Sequence, residues 1–255
     1  MRVAPAGHTR RVQESHRFEL PVRVRFDEAT AAGHYRASAH LRAMQDVAWA
    51  HSAALGFDLP WYRARGRFWL VRCLVLDVLL PVEPGTVLTV TTEVMAMRRI
   101  RARRESEFLL PDGTRAAHGL ADWIMTTAEG LPARILPELL GRFGGQTALD
   151  PARVDVEAPP PAASTSERRV APRDVDPMGH ANNAAYADWL DEAVIDAGDP
   201  AAVEAVPRRY QLEYLAPAMP GADVVARTWQ GPGGWRSVFV ARDGAELLRA
   251  RLAVG

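Results

Sequence analysis

Residues 76–92, LDVLLPVEPGTVLTVTT, and residues 212–228, LEYLAPAMPGADVVART, are two versions of one pattern. Leu76, Leu79, Pro81, Pro84 and Gly85 recur 136 residues later as Leu212, Leu215, Pro217, Pro220 and Gly221. In both copies a Pro-Gly turn separates two apolar runs of strand length. A second match lies upstream, where Gly33-His34 falls on Gly179-His180 at an offset of 146, each dipeptide leading into a helix-like run. Both offsets far exceed a solenoid period, so the chain reads as a duplicated domain.

Working outward, each half repeats one coarse order. In the second half Tyr186, Trp189, Leu190, Ala193 and Val194 are spaced i, i+3, i+4, i+7, i+8, one apolar helical face. Asn182 or Asn183 can cap that helix, and Gly198 fits just past its end. In the first half Leu41, Met44, Ala48 and Leu55 mark a comparable face, with Gly56 as the stop. A strand precedes each helix, at 20–26 and 168–172, and four follow it: 67–81, 87–97, 100–109 and 115–127, then 207–216, 222–230, 235–241 and 246–254. One helix with a run of antiparallel strands predicts an α+β fold, the helix lying on the sheet.

Between the halves, PARVDVEAPPPAASTSE (151–167) carries four prolines and cannot build a core. It reads as a stiff linker. The expected organisation is an N-terminal arm (1–17), a first domain (18–150), the linker, and a second domain (168–255).

Composition narrows the function classes. With 48% hydrophobic and 24% charged residues the chain is ordinary globular material, not disordered or collagen-like. Lys+Arg 31 against Asp+Glu 31 argues against wholesale binding to nucleic acid. The single cysteine, Cys73, permits no intrachain disulfide or thiolate metal site, which suits a reducing compartment and a cytoplasmic location. No apolar run approaches the roughly 18 residues of a membrane span. The N-terminal stretch MRVAPAGHTRRVQESHR has no apolar core and reads as an arm, not a secretory signal. There is no HExxH, no Gly-x-Ser-x-Gly, no Walker loop and no GxGxxG. No metal cluster is visible and no cofactor is implied.

The chemistry concentrates in DVDPMGHANNAAYADWLDEA (174–193). Its Asp176-Pro177 is similar to the Asp-Pro of hydroxybenzoyl-CoA thioesterases. The run Asp-x-Asp-x-x-x-His-x-Asn-Asn-x-x-Tyr resembles the second domain of two-domain acyl-ACP thioesterases. In the first half QDVAWAHSAALGF (45–57), RIRARRESEFLLPDG (99–113) and ADWIMTTAEGLPARIL (121–136) resemble the N-terminal domain of that family. The resemblance spans about 18 to 255. It implies tandem hotdog domains, each a long helix wrapped by antiparallel sheet, forming an intrachain pseudo-dimer, with acyl-ACP or acyl-CoA as substrate.

Thioester hydrolysis needs a base or nucleophile, donors for the developing oxyanion, and an apolar slot for the acyl chain. A helix N-terminus offers unpaired N–H groups and a positive dipole end, and the loop 176–183 runs into one. Asp176 is expected to activate water or attack the carbonyl. The backbone N–H near Asn183 is expected to polarise the thioester oxygen, and His180 and Asn182 to orient water, carboxylate or substrate. Each has a plainer reading as well: Asp176 as a turn residue, His180 as a loop histidine on a backbone carbonyl, the asparagines as caps.

The sequence also departs from the plant enzymes. Met178 replaces the Asn between their Asp and His, and Pro217 and Ala218 stand where they carry Glu and Cys. A nucleophilic cysteine there is excluded. The first half has Thr30 where Asp176 would fall, so one active site per chain is expected, the first domain supplying walls and an acyl slot.

On a strand, Arg99, Arg101 and Arg103 would share one face and could meet an acidic carrier protein or a phosphopantetheine or nucleotide phosphate; the plainer reading is a solvated edge. Trp49, Trp69, Trp123 and Trp189 read as packing, Cys73 as inert, and His34, His40 and His51 as structural. The expected partners are an acyl thioester and acyl carrier protein, with no nucleic acid and no membrane; a homodimer stays open. A hotdog hydratase fits less well, because its Asp-x-Asn-Pro-x-His spacing is absent. A non-catalytic acyl-binding module is the remaining alternative.

Overall fold

The computed structural model describes residues 17–143 and 152–255. The expected N-terminal arm, apart from its last residue, and residues 144–151 lie outside the described residues. The first half runs β1 (Arg17–Arg23), α1 (Ala37–Ala54), α2 (Leu59–Ala64), β2 (Phe68–Val78), β3 (Val87–Arg98), β4 (Arg101–Leu109), β5 (Arg115–Thr126) and α3 (Pro137–Phe143). The second runs β6 (Ser164–Arg169), α4 (Ala185–Asp196), α5 (Pro200–Glu204), β7 (Arg208–Tyr214), β8 (Asp223–Gly231), β9 (Gly234–Ala241) and β10 (Glu246–Val254).

These strands form one antiparallel sheet in the order β1-β3-β4-β5-β2-β7-β10-β9-β8-β6. Read inward from either end, the two halves have the same order. They join edge to edge at β2 and β7, where Val75 is the register partner of Gln211. Gln211 lies 136 residues after Val75, the offset of the sequence repeat, so a pseudo-two-fold axis passes through this pair. This is the intrachain pair of hotdog domains expected from the sequence.

Helices α1 and α4 lie side by side on one face of the sheet. The former buries Leu41, Met44 and Val47, and the latter Tyr186, Trp189, Leu190, Ala193 and Val194. Together with Leu74, Leu76, Phe108, Leu212, Phe239 and Leu248 they make one core continuous across both halves. Each large apolar side chain buried there contributes about 2 kcal/mol. Gly119 in β5 makes room for the end of the Met44 side chain of α1, which a Cβ there would overlap.

The first strand of each half begins earlier than expected, and β6 starts inside the stretch read as linker. β6 is an edge strand of sequence STSERR that alternates partly buried and exposed residues. Polar edge strands carry no apolar run to mark them. The short helices α2 and α5 were also not expected; each begins at an Asp whose carboxylate accepts a first-turn N–H, Asp58 from Trp61 and Asp199 from Ala202.

The described part of the linker straps the outer face of the β2–β7 junction. Ala152 N–H donates to Asp122, Val154 N–H donates to Glu213, and the Cys73 thiol donates to the Ala152 carbonyl at 3.0 Å. Burial pushes the Cys73 thiol up to about 12, so it stays protonated.

Candidate active site

The loop before α4 is shaped by its own residues. A bridge between Val175 and Ala181 pinches its base. Within it Asp176 N–H donates to the His180 carbonyl (3.0 Å), and Gly179 N–H to the Asp176 carbonyl (2.9 Å). Pro177 fixes the second turn position, and Gly179 supplies the φ of +85° that closes it. One carboxylate oxygen of Asp176, Oδ1, accepts the Met178 N–H at 2.8 Å. The turn reading of Asp176 is therefore correct, and it uses only half of the carboxylate.

The other oxygen, Oδ2, faces Asn182, whose Nδ2 lies 3.3 Å away. The same Nδ2 donates to Gln45 Oε1 at 3.1 Å, and Asn182 Oδ1 accepts the Ala184 N–H at 2.9 Å. These contacts fix the amide orientation, since an oxygen in place of Nδ2 would face two acceptors. Asn182 thus closes a side-chain turn just ahead of α4 and bridges Asp176 to helix α1 of the other half.

Asn183 follows with its carbonyl held by the Tyr214 hydroxyl at 2.8 Å. Its N–H has no partner among the described residues. Tyr186 and Tyr214 pack edge to face behind the loop. The Tyr186 hydroxyl accepts the Ala218 N–H, and the Ala218 carbonyl accepts the Ala181 N–H. Ala218, where the plant enzymes have cysteine, thus anchors the loop through its backbone.

His180 is less directly engaged. Its Nδ1 lies 3.1 Å from the Ala181 carbonyl and makes no side-chain bond to Asp176, Asn182 or Asn183. A carbonyl only accepts, so Nδ1 donates in this contact.

Asn183 and Ala184 line a narrow cleft between α1 and the inner face of the first half-sheet. Gln45, Ala48, Arg104 and Trp123 line both that cleft and a larger chamber of about 140 Å³. Trp49, 50% exposed, and Met178, 45% exposed, both border the chamber. Tyr62, Leu139 and Phe143 give it apolar walls from α2 and α3. Of the tryptophans read as packing, Trp49, Trp69 and Trp123 are chamber walls.

The equivalent loop of the first half keeps the shape without the carboxylate. Its bridge is Ala29 to Tyr35, Thr30 N–H donates to the His34 carbonyl, and Thr30 Oγ1 donates to Glu204 at 3.0 Å. Asp191 takes the position of Gln45 on α4. Its carboxylate accepts the Tyr210 hydroxyl at 2.8 Å, and Arg208 Nε donates to Tyr210 at 3.2 Å. Burial raises Asp191 to about 7, against the lowering effects of the Tyr210 bond and the Arg208 charge. Tyr210 and Arg208 are themselves buried, so side chains occupy the ground behind this loop.

The arginines expected on one strand face divide. Arg99 sits in the β3–β4 turn at φ +57°, off the strand, because the hairpin needs a left-handed residue there. Arg101 opens β4, and Arg103 makes a bidentate pair with Asp122 at 2.6 and 2.8 Å. Arg104 points the other way, into the cavity. Gln45 and Arg104 are the residues that reading the sequence missed. Gln45 sits among the apolar positions of α1, and strict alternation along β4 would have separated Ala102, Arg104 and Ser106 from Arg101 and Arg103. Among the described residues no group of His, Cys, Asp and Glu could hold a metal, and no helix is long and apolar enough to cross a membrane.

The family model of the acyl-ACP thioesterase N-terminal domain matches residues 15–143. No curated protein sequence matches the chain. Among solved structures the chain is similar to a Lactobacillus plantarum protein assigned as an oleoyl thioesterase, with TM-score 0.80, 20% identity, and coverage of 94% of this chain and 97% of that one. An acyl-ACP thioesterase from Bacteroides thetaiotaomicron gives TM-score 0.79 at 14% identity, covering 93% and 97%. A 12:0-ACP thioesterase from Umbellularia californica gives 0.77 at 19%, covering 94% and 97%. At such identities these three likenesses are of fold.

Proposed function

The chain belongs to the acyl-ACP thioesterase family and is a thioester hydrolase, and from that premise we propose that it releases fatty acids from acyl-ACP or acyl-CoA at the loop 176–183. One observation supports this above the rest. Asn182 faces Asp176 Oδ2, and the next residue, Asn183, whose N–H has no partner among the described residues, lines a cleft that shares Gln45, Ala48, Arg104 and Trp123 with an apolar chamber. Asp176 Oδ2 takes a proton from water as that water attacks the thioester carbon. Asn182 Nδ2 orients the carboxylate and water. The Asn183 N–H, at the positive end of α4, receives the carbonyl oxygen as it becomes an oxyanion. Collapse of the tetrahedral intermediate breaks the C–S bond, and the proton held by Asp176 passes to the departing thiolate. The acyl chain lies in the chamber of the first half, and the thiol carrier remains outside, past Trp49 and Met178.

The companion loop at Thr30 has neither a carboxylate of its own nor open space behind it, in keeping with one site per chain. Exposed Arg99 is the free end of the arginine cluster offered to the phosphate or acidic surface of a carrier. Arg101 stands beside it, while Arg103 is engaged with Asp122. A reducing compartment such as the cytoplasm suits the single buried thiol. Thiol release from matched acyl-CoA and acyl-ACP panels tests the reading. Turnover that depends on chain length is expected on at least one carrier; no release from any thioester would contradict it.

A further inference from the structure

We propose that Arg104 recognises an oxygen-bearing acyl group: the substrate carries a hydroxyl, keto or carboxylate oxygen on its acyl chain that accepts hydrogen bonds from the guanidinium inside the cavity. This rests on the chamber being the acyl site, and adds a substrate class to it.

Along β4 the side chains alternate, so Ala102, Arg104 and Ser106 face inward while Arg103 faces the strap and pairs with Asp122. Arg104 has no carboxylate. Its Nη1 donates to His51 Nδ1 at 3.0 Å and to Thr92 Oγ1 at 3.4 Å. An arginine can only donate, so His51 accepts through an unprotonated nitrogen and is neutral. Both partners of the guanidinium are therefore uncharged.

Nε and Nη2 of Arg104 make no hydrogen bond among the described residues. Neither is among the polar atoms sealed inside the protein without a partner. Arg104 lines both the cleft and the chamber of the cavity. Burial lowers Arg104 to about 10, which still leaves it charged at neutral pH. A charge in an apolar cavity with only neutral partners is unfavourable, and a chamber for plain hydrocarbon needs none. Thr92 and Ser106 place two hydroxyls on the same cleft.

The duplicated fold does not itself require an arginine here. Phe239 pairs with Ala226 as Phe108 pairs with Val90, which sets Trp235 in the place of Arg104 in the second half. The guanidinium is thus specific to the half that carries the chamber.

The test uses the full chain and acyl-CoA thioesters of one chain length in four forms: saturated, 3-hydroxy, 3-oxo and ω-carboxy. A charge-assisted hydrogen bond predicts a kcat/KM at least about tenfold higher for one oxygenated form than for the saturated chain. Which form wins locates the oxygen relative to the thioester. Arg104→Met should bring that ratio close to one, and Arg104→Lys should retain part of it. If the variants do not fold, the wild-type ratio alone decides. A saturated chain hydrolysed as well as or better than every oxygenated one overturns the inference while leaving the hydrolase reading intact. Failure to hydrolyse any form overturns both.

Discussion

Arg42 and Asp188 occupy the same position on the two central helices, 146 residues apart, and pair across the pseudo-two-fold axis with Arg42 Nη2 3.0 Å from Asp188 Oδ2. In a homodimer of either half this position would face its own charge. Divergence to opposite signs favours the intrachain arrangement, a case of specificity by charge. The pair is partly exposed, so its direct contribution is small. Arg42→Glu should lower stability by about 1 kcal/mol in denaturant melts, and Arg42→Asp combined with Asp188→Arg should restore most of it. No recovery in the swap would mean that the pair is incidental.

Asp191 makes stability depend on pH. Its value of about 7 in the folded chain lies above the roughly 4 of an unfolded Asp, so folding takes up a proton between those values. Stability therefore falls as pH rises through that window and levels off above it, with a slope of up to about 1.4 kcal/mol per pH unit. Asp191→Asn keeps an acceptor for Tyr210 and removes the titration. Its stability relative to the parent should rise from about pH 4 to about pH 7. Denaturant melts across that range giving a flat difference would contradict this.

The duplication was legible because its turns are: Pro84-Gly85 and Pro220-Gly221 must sit where a chain reverses, and strand alternation surrounds them. The loop proposed to be catalytic could be singled out because its spacing is local, Asp176 to Asn183 within eight residues that lead into a helix. What escaped the sequence depends on partners distant along the chain. Gln45 meets Asn182 across the pseudo-dyad, 137 residues away, and no local pattern announces that contact. Arg104 was not singled out beside Arg99, Arg101 and Arg103, although the strand period turns it inward. β6 escaped because a polar edge strand looks like linker.

On the proposed mechanism Gln45 acts as a positioning residue. It accepts from the same Asn182 amide that faces Asp176, and it lines the cleft. Gln45→Ala should lower kcat about tenfold with a smaller change in KM, because Asn182 loses one of its restraints. A rise in KM with kcat unchanged would assign Gln45 to substrate binding instead.

The Asn183 N–H can be removed without breaking any hydrogen bond among the described residues. Asn183→Ala retains this donor, and Asn183→Pro deletes it at a position near the first helical turn, where proline is tolerated. The two variants should differ in turnover by about two orders of magnitude, with melting temperatures confirming that both fold. Equal turnover would place the oxyanion elsewhere, with His180 or the Asn182 amide the next donor to examine.

Hydrolysis of an acyl thioester by Asp176→Asn is the most direct measurement. The substitution keeps an oxygen for the Met178 N–H and removes the base. Turnover is expected to fall by at least about two to three orders of magnitude, with the melting temperature near that of the parent. Thr30→Val, at the equivalent position of the other half, is expected to change the rate little. A folded Asp176→Asn protein that turns over at the parental rate would show that the loop before α4 is not where the thioester is cleaved.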